Sequence, residues 1–490
     1  MKFQVLIVSI FLLLTNSLYG ADLVSENLTI ISHRGSPFKH AENTIQAFQT
    51  SLKEGGNAIE LDVCITKDGR VVVWHDWKHS DLTPVVREIG KEPDMLYRPW
   101  VPNLGSRYRR PISELTYAEF KKHYGYTEAS NNFLGGAKKS EKYQTMTLEE
   151  FAMWAVKQKK LKKIFVDLKA PKDAGEAGHA LVQQSLKILE KYGLHKKSIL
   201  STTESEYLKR APIYKKQYPG VGFAFDTQIT ALKADFNKHS GINNSLKIPG
   251  LEHAMIGLPR IGFNKQKNYL DVIKKELLRL NAHNREVIRT GKGTPIKSIT
   301  AWTIDDPILV EQLLRLGVDS IMTNKPDMVR RIHEKLKMER DAEKPEQALK
   351  ESLEQLKKAR KKMEEARDRW KNRPWWKFWL PITNSDKKEF EKAMLEYQFQ
   401  TMLFHKIKER YSKQRDHSRE KSKKTYSSPG GKKYNFSGKL QALQREYERN
   451  YRIYLSLLKN RVSKKAKGFY KQKVLPLARE LKRKKAEIQR

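Results

Sequence analysis

The sequence predicts an α/β fold built on a parallel sheet, followed by an all-α basic extension. Three observations carry this. Short apolar runs alternate with amphipathic stretches up to about residue 335, as strands and helices do in parallel α/β proteins. Two histidines and two carboxylates sit at or near the ends of three early runs. From about Met338 the chain turns strongly basic, and its apolar residues settle into spacings of three and four.

The first run, Leu28–Ser32, leads into His33-Arg34-Gly35. Ala58-Ile59 leads into Glu60-Leu61-Asp62, and Val71–Trp74 into His75-Asp76. Between the first two, Ile45, Ala47, Phe48 and Leu52 fall near a helical period. In a parallel barrel, catalytic groups gather at the carboxyl ends of strands. Glu60 and Asp62 are two apart, so on a strand they share a face. Two hard oxygen ligands suit Mg²⁺ or Ca²⁺. His33 and His75, at neighbouring strand ends, suit a general acid and a general base. Cys64 is the single cysteine; it excludes an internal disulfide and reads as packing.

The connection from Trp77 to Met146 is long and polar, with a possible helix from Thr116 to His123, and connections of that length are often functional. Tyr97, Trp100, Tyr108 and Arg109 are candidates to line it. Thr147–Gln158 reads as a helix capped by Thr147, with Glu150 three residues later. Lys163–Lys169 reads as a strand whose Asp167 and Lys169 share a face. Helices are expected at Ala177–Tyr192, Glu204–Tyr218, Tyr269–Ile288, Pro307–Leu316 and Pro326–Leu336. Strands are expected at Ser198–Thr202, Val221–Phe225, Met255–Leu258, Ser298–Ile304 (carrying Trp302) and Ser320–Thr323. The chain thus offers nine strand candidates, the weakest near 221 and 255.

The segments HRG, AENTIQAF, ELD, TKDGRVVVWHD, AWTID and IMTNKPD resemble the glycerophosphodiester phosphodiesterase family, over about residues 27–335. The resemblance implies a (β/α)8 TIM barrel with an insertion after the third strand that caps the active site. It implies one divalent cation, Ca²⁺ or Mg²⁺, and hydrolysis of a glycerophosphodiester to glycerol 3-phosphate and an alcohol. His33 and His75 match the family's catalytic pair, Glu60 and Asp62 its metal ligands, and Arg34 its phosphate-holding residue. Where the family carries ExK, this chain has Asp167 and Lys169. Asp167 then becomes a third, shorter-armed metal ligand and Lys169 a phosphate contact. Trp302 matches a tryptophan placed to pack on the glycerol, and Ala41 replaces a usual proline. Eight barrel places for nine candidates put the surplus strand near 221 or 255. Sphingomyelinase D-like phospholipases use two histidines and three carboxylates on this barrel, and their third carboxylate is also Asp. A lysophospholipase D or sphingomyelinase D-like activity on a lysophospholipid is therefore the rival.

Lys+Arg number 96 against 56 Asp+Glu, a net charge of +40, which favours anionic partners: lipid head groups, envelope polymers or nucleic acid. Residues 335–490 hold 46 Lys+Arg and 20 Asp+Glu, a net of +26. Leu349, Leu353, Leu356, Ala359, Met363, Ala366 and Trp370 form one stripe. Phe390, Met394, Tyr397, Thr401, Phe404 and Tyr411 form a second, and Leu440 to Leu458 a third. Pro374 and Pro381 frame RPWWKFWLP, which suits either a membrane interface or packing. Residues 416–436 read as a flexible basic loop, and a last basic helix starts at Pro476. Lys2, the short apolar run Val5–Leu14 and the small residues Ser17, Gly20 and Ala21 read as a signal peptide over 1–20. The expected organisation is signal peptide, barrel over 21–337, and a basic helical bundle or coiled coil over 338–490. The protein is then exported, periplasmic or extracellular, which weakens nucleic acid as a partner. An anionic membrane surface or envelope polymer fits the basic tail better. In the alternative of another class, envelope binding by that tail is the main function.

Overall fold

Eight strands run parallel and close on one another, because each buries both faces. The computed structural model describes residues 24–90, 95–129, 138–227, 241–258, 265–342, 345–371 and 384–423. The proposed signal peptide, RPWWKFWLP, the third tail stripe and the helix from Pro476 lie outside these. In chain order the strands are β1 (Thr29–Ser32), β2 (Ala58–Ile65), β3 (Val71–Val73), β4 (Tyr97–Trp100), β5 (Gly125–Glu128) and β6 (Met146–Thr147). There follow β7 (Lys163–Leu168), β8 (Ser198–Thr202), β9 (Gly222–Thr227), β10 (His253–Gly257), β11 (Ser298–Trp302) and β12 (Ser320–Thr323). The parallel order β1-β12-β11-β10-β9-β8-β7-β2 closes through the β1–β2 pairing, giving an eight-stranded barrel. Helices such as Ile45–Lys53, Glu176–Lys191 and Pro307–Arg315 pack outside it.

Both weak candidates, β9 and β10, are therefore barrel strands. The surplus strand is β3, which runs antiparallel to β2 and carries β6 on its far edge. The reason is the turn between them. Thr66 Oγ1 accepts from Arg70 N at 3.0 Å, and Gly69 takes φ +76°, so Lys67-Asp68-Gly69 sends the chain straight back. The insertion does follow the third strand of the chain, but that strand stands beside the barrel.

Aromatic packing fixes the insertion. Trp74 meets Phe120 and Tyr124 edge-on at 5.7 and 5.9 Å between ring centres. Glu88 joins His79 (3.0 Å) to Arg109 (2.6 Å), so Arg109 braces the insertion from within. Two expected helix starts are built as read: Thr116 with Glu119 and Thr147 with Glu150 form reciprocal caps. The expected helix Glu204–Tyr218 is broken into Ser205–Leu208 and Ala211–Gln217, with Pro212 near the start of the second piece.

The compact unit that holds the barrel runs to Lys413. Its closing helix spans Pro326–Ala342, so Lys337 lies inside a helix. The tail contributes helices Pro345–Lys371 and Asn384–Lys423, the latter extending past 416 into the stretch read as a loop. The remainder of that stretch lies outside the described residues. Trp370 stacks on Phe390 at 5.3 Å and Arg369 pairs with Glu389 at 2.6 Å, so the two helices meet there. The sequence stripe through Phe390, Met394 and Tyr397 is only half-buried. The neighbouring face, Phe399, Met402 and Leu403, is buried in one cluster with Val272, Ile273 and Leu277 of helix Lys265–Thr290. Lys274 pairs with Glu396 at 2.8 Å, and Lys406 faces Asp319 just before β12. The second tail helix thus reaches the amino-terminal end of the barrel strands. Phe399→Ala is expected to cost about 3–5 kcal/mol of stability, read by denaturant unfolding of the full chain, with kcat unchanged. Among the described residues, no helix is long and apolar enough to cross a membrane.

Candidate active site

Strand parity builds the site. A layer of apolar side chains fills the barrel: Ile31, Ala58, Phe165, Ile199, Ala224, Met255 and Met322, with Trp302 packed against it. Two residues further along each strand, the side chain returns to the same face. That step leads from Ile31 to His33, from Ala58 to Glu60 and then Asp62, and from Phe165 to Asp167 and then Lys169. It also leads from Ile199 to Ser201, from Ala224 to Asp226, and from Met322 to Asn324. Polar groups therefore crown the carboxyl-terminal mouth.

Glu60, Asp62 and Asp167 each offer an oxygen, and these atoms lie within 4.8 Å of one another. Glu60 and Asp62 are buried and Asp167 is half-buried. Lys169 Nζ stands 3.0 Å from Asp62 Oδ1 and pairs with Asp167 Oδ2, so an ammonium already bridges two members. Burial, then Asp62 and Asp167, pushes the Glu60 carboxyl well above its ordinary range. Burial also raises Asp62, but Lys169 and Arg34 outweigh it and hold that carboxyl below its ordinary value. Three hard, crowded carboxylates, the Glu60 carboxyl pushed up by burial and by its two acidic neighbours, fit a divalent cation such as Mg²⁺ or Ca²⁺, which would relieve that crowding.

His33 continues the β1 ladder, its N–H donating to Thr323 O at 2.9 Å. Its Nδ1 lies 2.8 Å from Asn324 Oδ1. Asn324 donates from Nδ2 to Asp305 Oδ2 (2.7 Å) and from its backbone to Asp305 Oδ1 (2.8 Å). A carboxylate only accepts, so the amide turns its oxygen to His33, and Nδ1 carries the hydrogen. His75 does not cap a barrel strand; it follows β3, with Trp74 N donating to Asp62 O at 2.9 Å. Its Nδ1 donates to Asp76 Oδ1 at 2.5 Å. Both rings thus commit Nδ1 to a partner, which fixes the tautomer and aim of each imidazole. Burial, followed by Arg34, Arg87, Lys169 and His33, pushes His75 well below the ordinary imidazole value.

Arg34 is placed differently from a simple phosphate clamp. Its side chain is 3% exposed, 2.9 Å from Glu42 and 3.2 Å from Asp62, and its backbone N–H donates to Glu60 Oε2 at 2.8 Å. Trp302 ends β11 and packs over Gly257. Tyr97, Trp100, Tyr108 and Arg109 belong to the insertion's own packing: Tyr108 stacks on His123 at 3.8 Å and Tyr97 meets Tyr143 at 4.6 Å. The sequence reading missed Asn43, whose Nδ2 donates to Asp62 Oδ2 at 2.7 Å, and the pair Asn324 and Asp305. It also missed Ser201 and Asp226, whose Oγ and Oδ1 are buried at the mouth without a hydrogen-bond partner. Two-residue parity from the apolar layer would have found Ser201, Asp226 and Asn324.

Comparison with known proteins bears on the family of the chain. Residues 33–328, more than half of the chain, match the Glycerophosphoryl diester phosphodiesterase family. A glycerophosphodiester phosphodiesterase of Bacillus altitudinis is 23% identical over 308 residues, covering 63% of this chain and 99% of the relative. Human lysophospholipase D GDPD1 is 44% identical over 75 residues, 15% of this chain and 23% of the relative. Among solved structures, an Oleispira antarctica phosphodiesterase in complex with the product sn-glycerol-3-phosphate is 16% identical, with a TM-score of 0.39. That match covers 63% of this chain and 97% of the other. The chain is a phosphoric diester hydrolase and belongs to the glycerophosphodiester phosphodiesterase family.

Proposed function

We propose that the protein hydrolyses glycerophosphodiesters to glycerol 3-phosphate and an alcohol, with His75 as general base and His33 as general acid. One observation carries this reading: two histidines, one with Nδ1 tied to Asp76 and the other with Nδ1 tied to the Asp305-anchored Asn324, accompany a cluster of three carboxylates. Glu60, Asp62 and Asp167 would hold the divalent cation, which supplies charge neutralisation at the phosphate. His75 is held neutral, so its Nε2 takes a proton from the attacking hydroxyl, of water or of the adjacent glycerol carbon. Protonated His33 gives a proton from Nε2 to the departing oxygen. Lys169, on the same face as Asp167, adds positive charge where the phosphorane-like charge develops. Arg34 supports that charge from behind Asp62, and Trp302 walls the glycerol.

The lysophospholipase D reading is supported by the short, closer match to the human enzyme of that name. A panel of glycerophosphocholine, glycerophosphoethanolamine and lysophosphatidylcholine, each with and without Mg²⁺ or Ca²⁺, separates the two. Glycerol 3-phosphate released from the first two supports the main reading. Turnover of the lysolipid alone replaces it. Export and binding of anionic surfaces by the basic tail belong to the same proposal and rest on the sequence. Cosedimentation with anionic vesicles at low and high salt tests the second, since salt screens such binding.

A further inference from the structure

Five charged side chains of alternating sign run from Asp62 of the carboxylate cluster to the neutral His75. Arg34 Nε lies 3.2 Å from Asp62 Oδ2, and Arg34 Nη1 donates to Glu42 Oε2 at 2.9 Å. Glu42 accepts through its other oxygen from Arg87 Nη2. Arg87 Nη1 donates to Asp76 Oδ1 at 3.1 Å, the same oxygen that accepts from His75 Nδ1 at 2.5 Å. Apart from His75, every one of these side chains is at most 3% exposed. Five of these six residues lie in the segments that follow β1 and β3 or on β2 itself. Arg87 comes from helix Leu82–Glu88 of the insertion.

Buried charge is not in general a requirement of packing. Replacing a buried ion pair with apolar residues of similar volume is often neutral or stabilising. What an arginine offers, and an apolar residue or a lysine does not, is a rigid planar fork that reaches two carboxylates at once. Here one prong holds the carboxylate that orients Arg34, and the other holds the carboxylate that orients His75. Asp76 Oδ1 is shared, so the direction of the hydrogen bond to His75, and with it the aim of Nε2, depends on where Arg87 keeps that oxygen. Trp74 leaves little slack: it is buried under Phe120 and Tyr124 of the same insertion.

We propose that Arg87 is a positioning residue for the reaction, fixing the His75 imidazole and the Arg34 guanidinium together and making the insertion part of the chemical machinery. This rests on the reading of His75 as the base in phosphodiester hydrolysis. The test uses the full chain with saturating divalent cation and glycerophosphocholine. Arg87→Met keeps the length and removes the fork. Its kcat is expected to fall about 10²-fold, the cost of misplacing a reacting group by about 1 Å. Its KM stays within about threefold, because His75 and Arg34 act on the proton and the charge that move or develop in the transition state. Arg87→Lys, able to satisfy one carboxylate, recovers about tenfold of that loss. A folded Arg87→Met with kcat within about threefold of native overturns the inference. So does a folded Arg87→Lys at native kcat, because the fork is then unnecessary, and so does a loss carried entirely by KM. Should Arg87→Met fail to fold, Arg87→Lys decides alone. His75→Ala run beside them separates the two levels. A near-native His75→Ala overturns the reading of the reaction, whereas a near-native Arg87→Met beside an inactive His75→Ala overturns this inference only.

Discussion

His75→Ala is expected to lower kcat by about 10²–10⁴-fold, the usual contribution of one positioned proton-transfer group. The fold survives the change. Asp76 keeps its ion pair with Arg87 at 3.1 Å, so no buried charge is left uncompensated. A circular-dichroism melt close to native, beside lost turnover, is the expected pair of results. The pH profile carries the assignment of roles. Burial, followed by Arg34, Arg87, Lys169 and His33, depresses the His75 pKa well below 6.5. A base works in its neutral form, and a depressed pKa keeps it neutral further into acid. The limb of kcat/KM that reports His75 therefore lies below the ordinary imidazole range, and a bound cation shifts it in the same direction. His75→Ala should abolish that limb. A His75 limb at or above the ordinary value would instead make this residue the acid.

Much of this site is legible in the sequence because a barrel strand writes its chemistry at every second position. Glu60 with Asp62 and Asp167 with Lys169 could be paired by spacing alone, and the structure gathers both pairs at one mouth. The same rule extends from Ala224 to Asp226, yet β9 read as weak. A barrel strand that ends in a buried Asp and Thr interrupts its own apolar run. The opposite error arose at β3. Val71–Val73 is as apolar as any barrel strand, so composition favoured it. The deciding signal was the Asp68-Gly69 turn, which marks an antiparallel return rather than a crossover.

Arg87 and Asp305 were beyond sequence reading for a different reason. Arg87 meets Glu42 across 45 residues, and Asp305 meets Asn324 across 19. Such pairings leave no local period, and one arginine among 96 basic residues carries no mark of burial. The tail shows an intermediate case. Spacing identified its first two helices, and the stripe through Phe390 does meet the other tail helix at Trp370. The face that the barrel buries, Phe399, Met402 and Leu403, lies beside that stripe. A helix packed on two sides has two apolar faces, and a single period finds only one of them.

Removal of the divalent cation is expected to abolish turnover without unfolding the chain, and Mg²⁺ or Ca²⁺ to restore it. Without the cation, Lys169 still bridges Asp62 and Asp167, so charge neutralisation within the cluster is partly internal. What remains unrelieved is the crowding that raises Glu60. A cation relieves it, and its binding stabilises the fold by about 2.7 kcal/mol when present at a hundredfold excess over Kd. The melting temperature should therefore rise with added Mg²⁺ or Ca²⁺, a readout independent of turnover. The rise should shrink as pH falls, because a proton on Glu60 competes with the cation. Asp62→Asn removes the member paired with both Arg34 and Lys169 and should lose both the metal-dependent rise and the activity. Asp167→Glu lengthens one arm of the same cluster and should keep both, with a changed preference between the two ions. Full turnover in excess chelator by protein shown to be metal-free would sink the metal reading. A metal-dependent rise that persists in Asp62→Asn would move the ion to other residues.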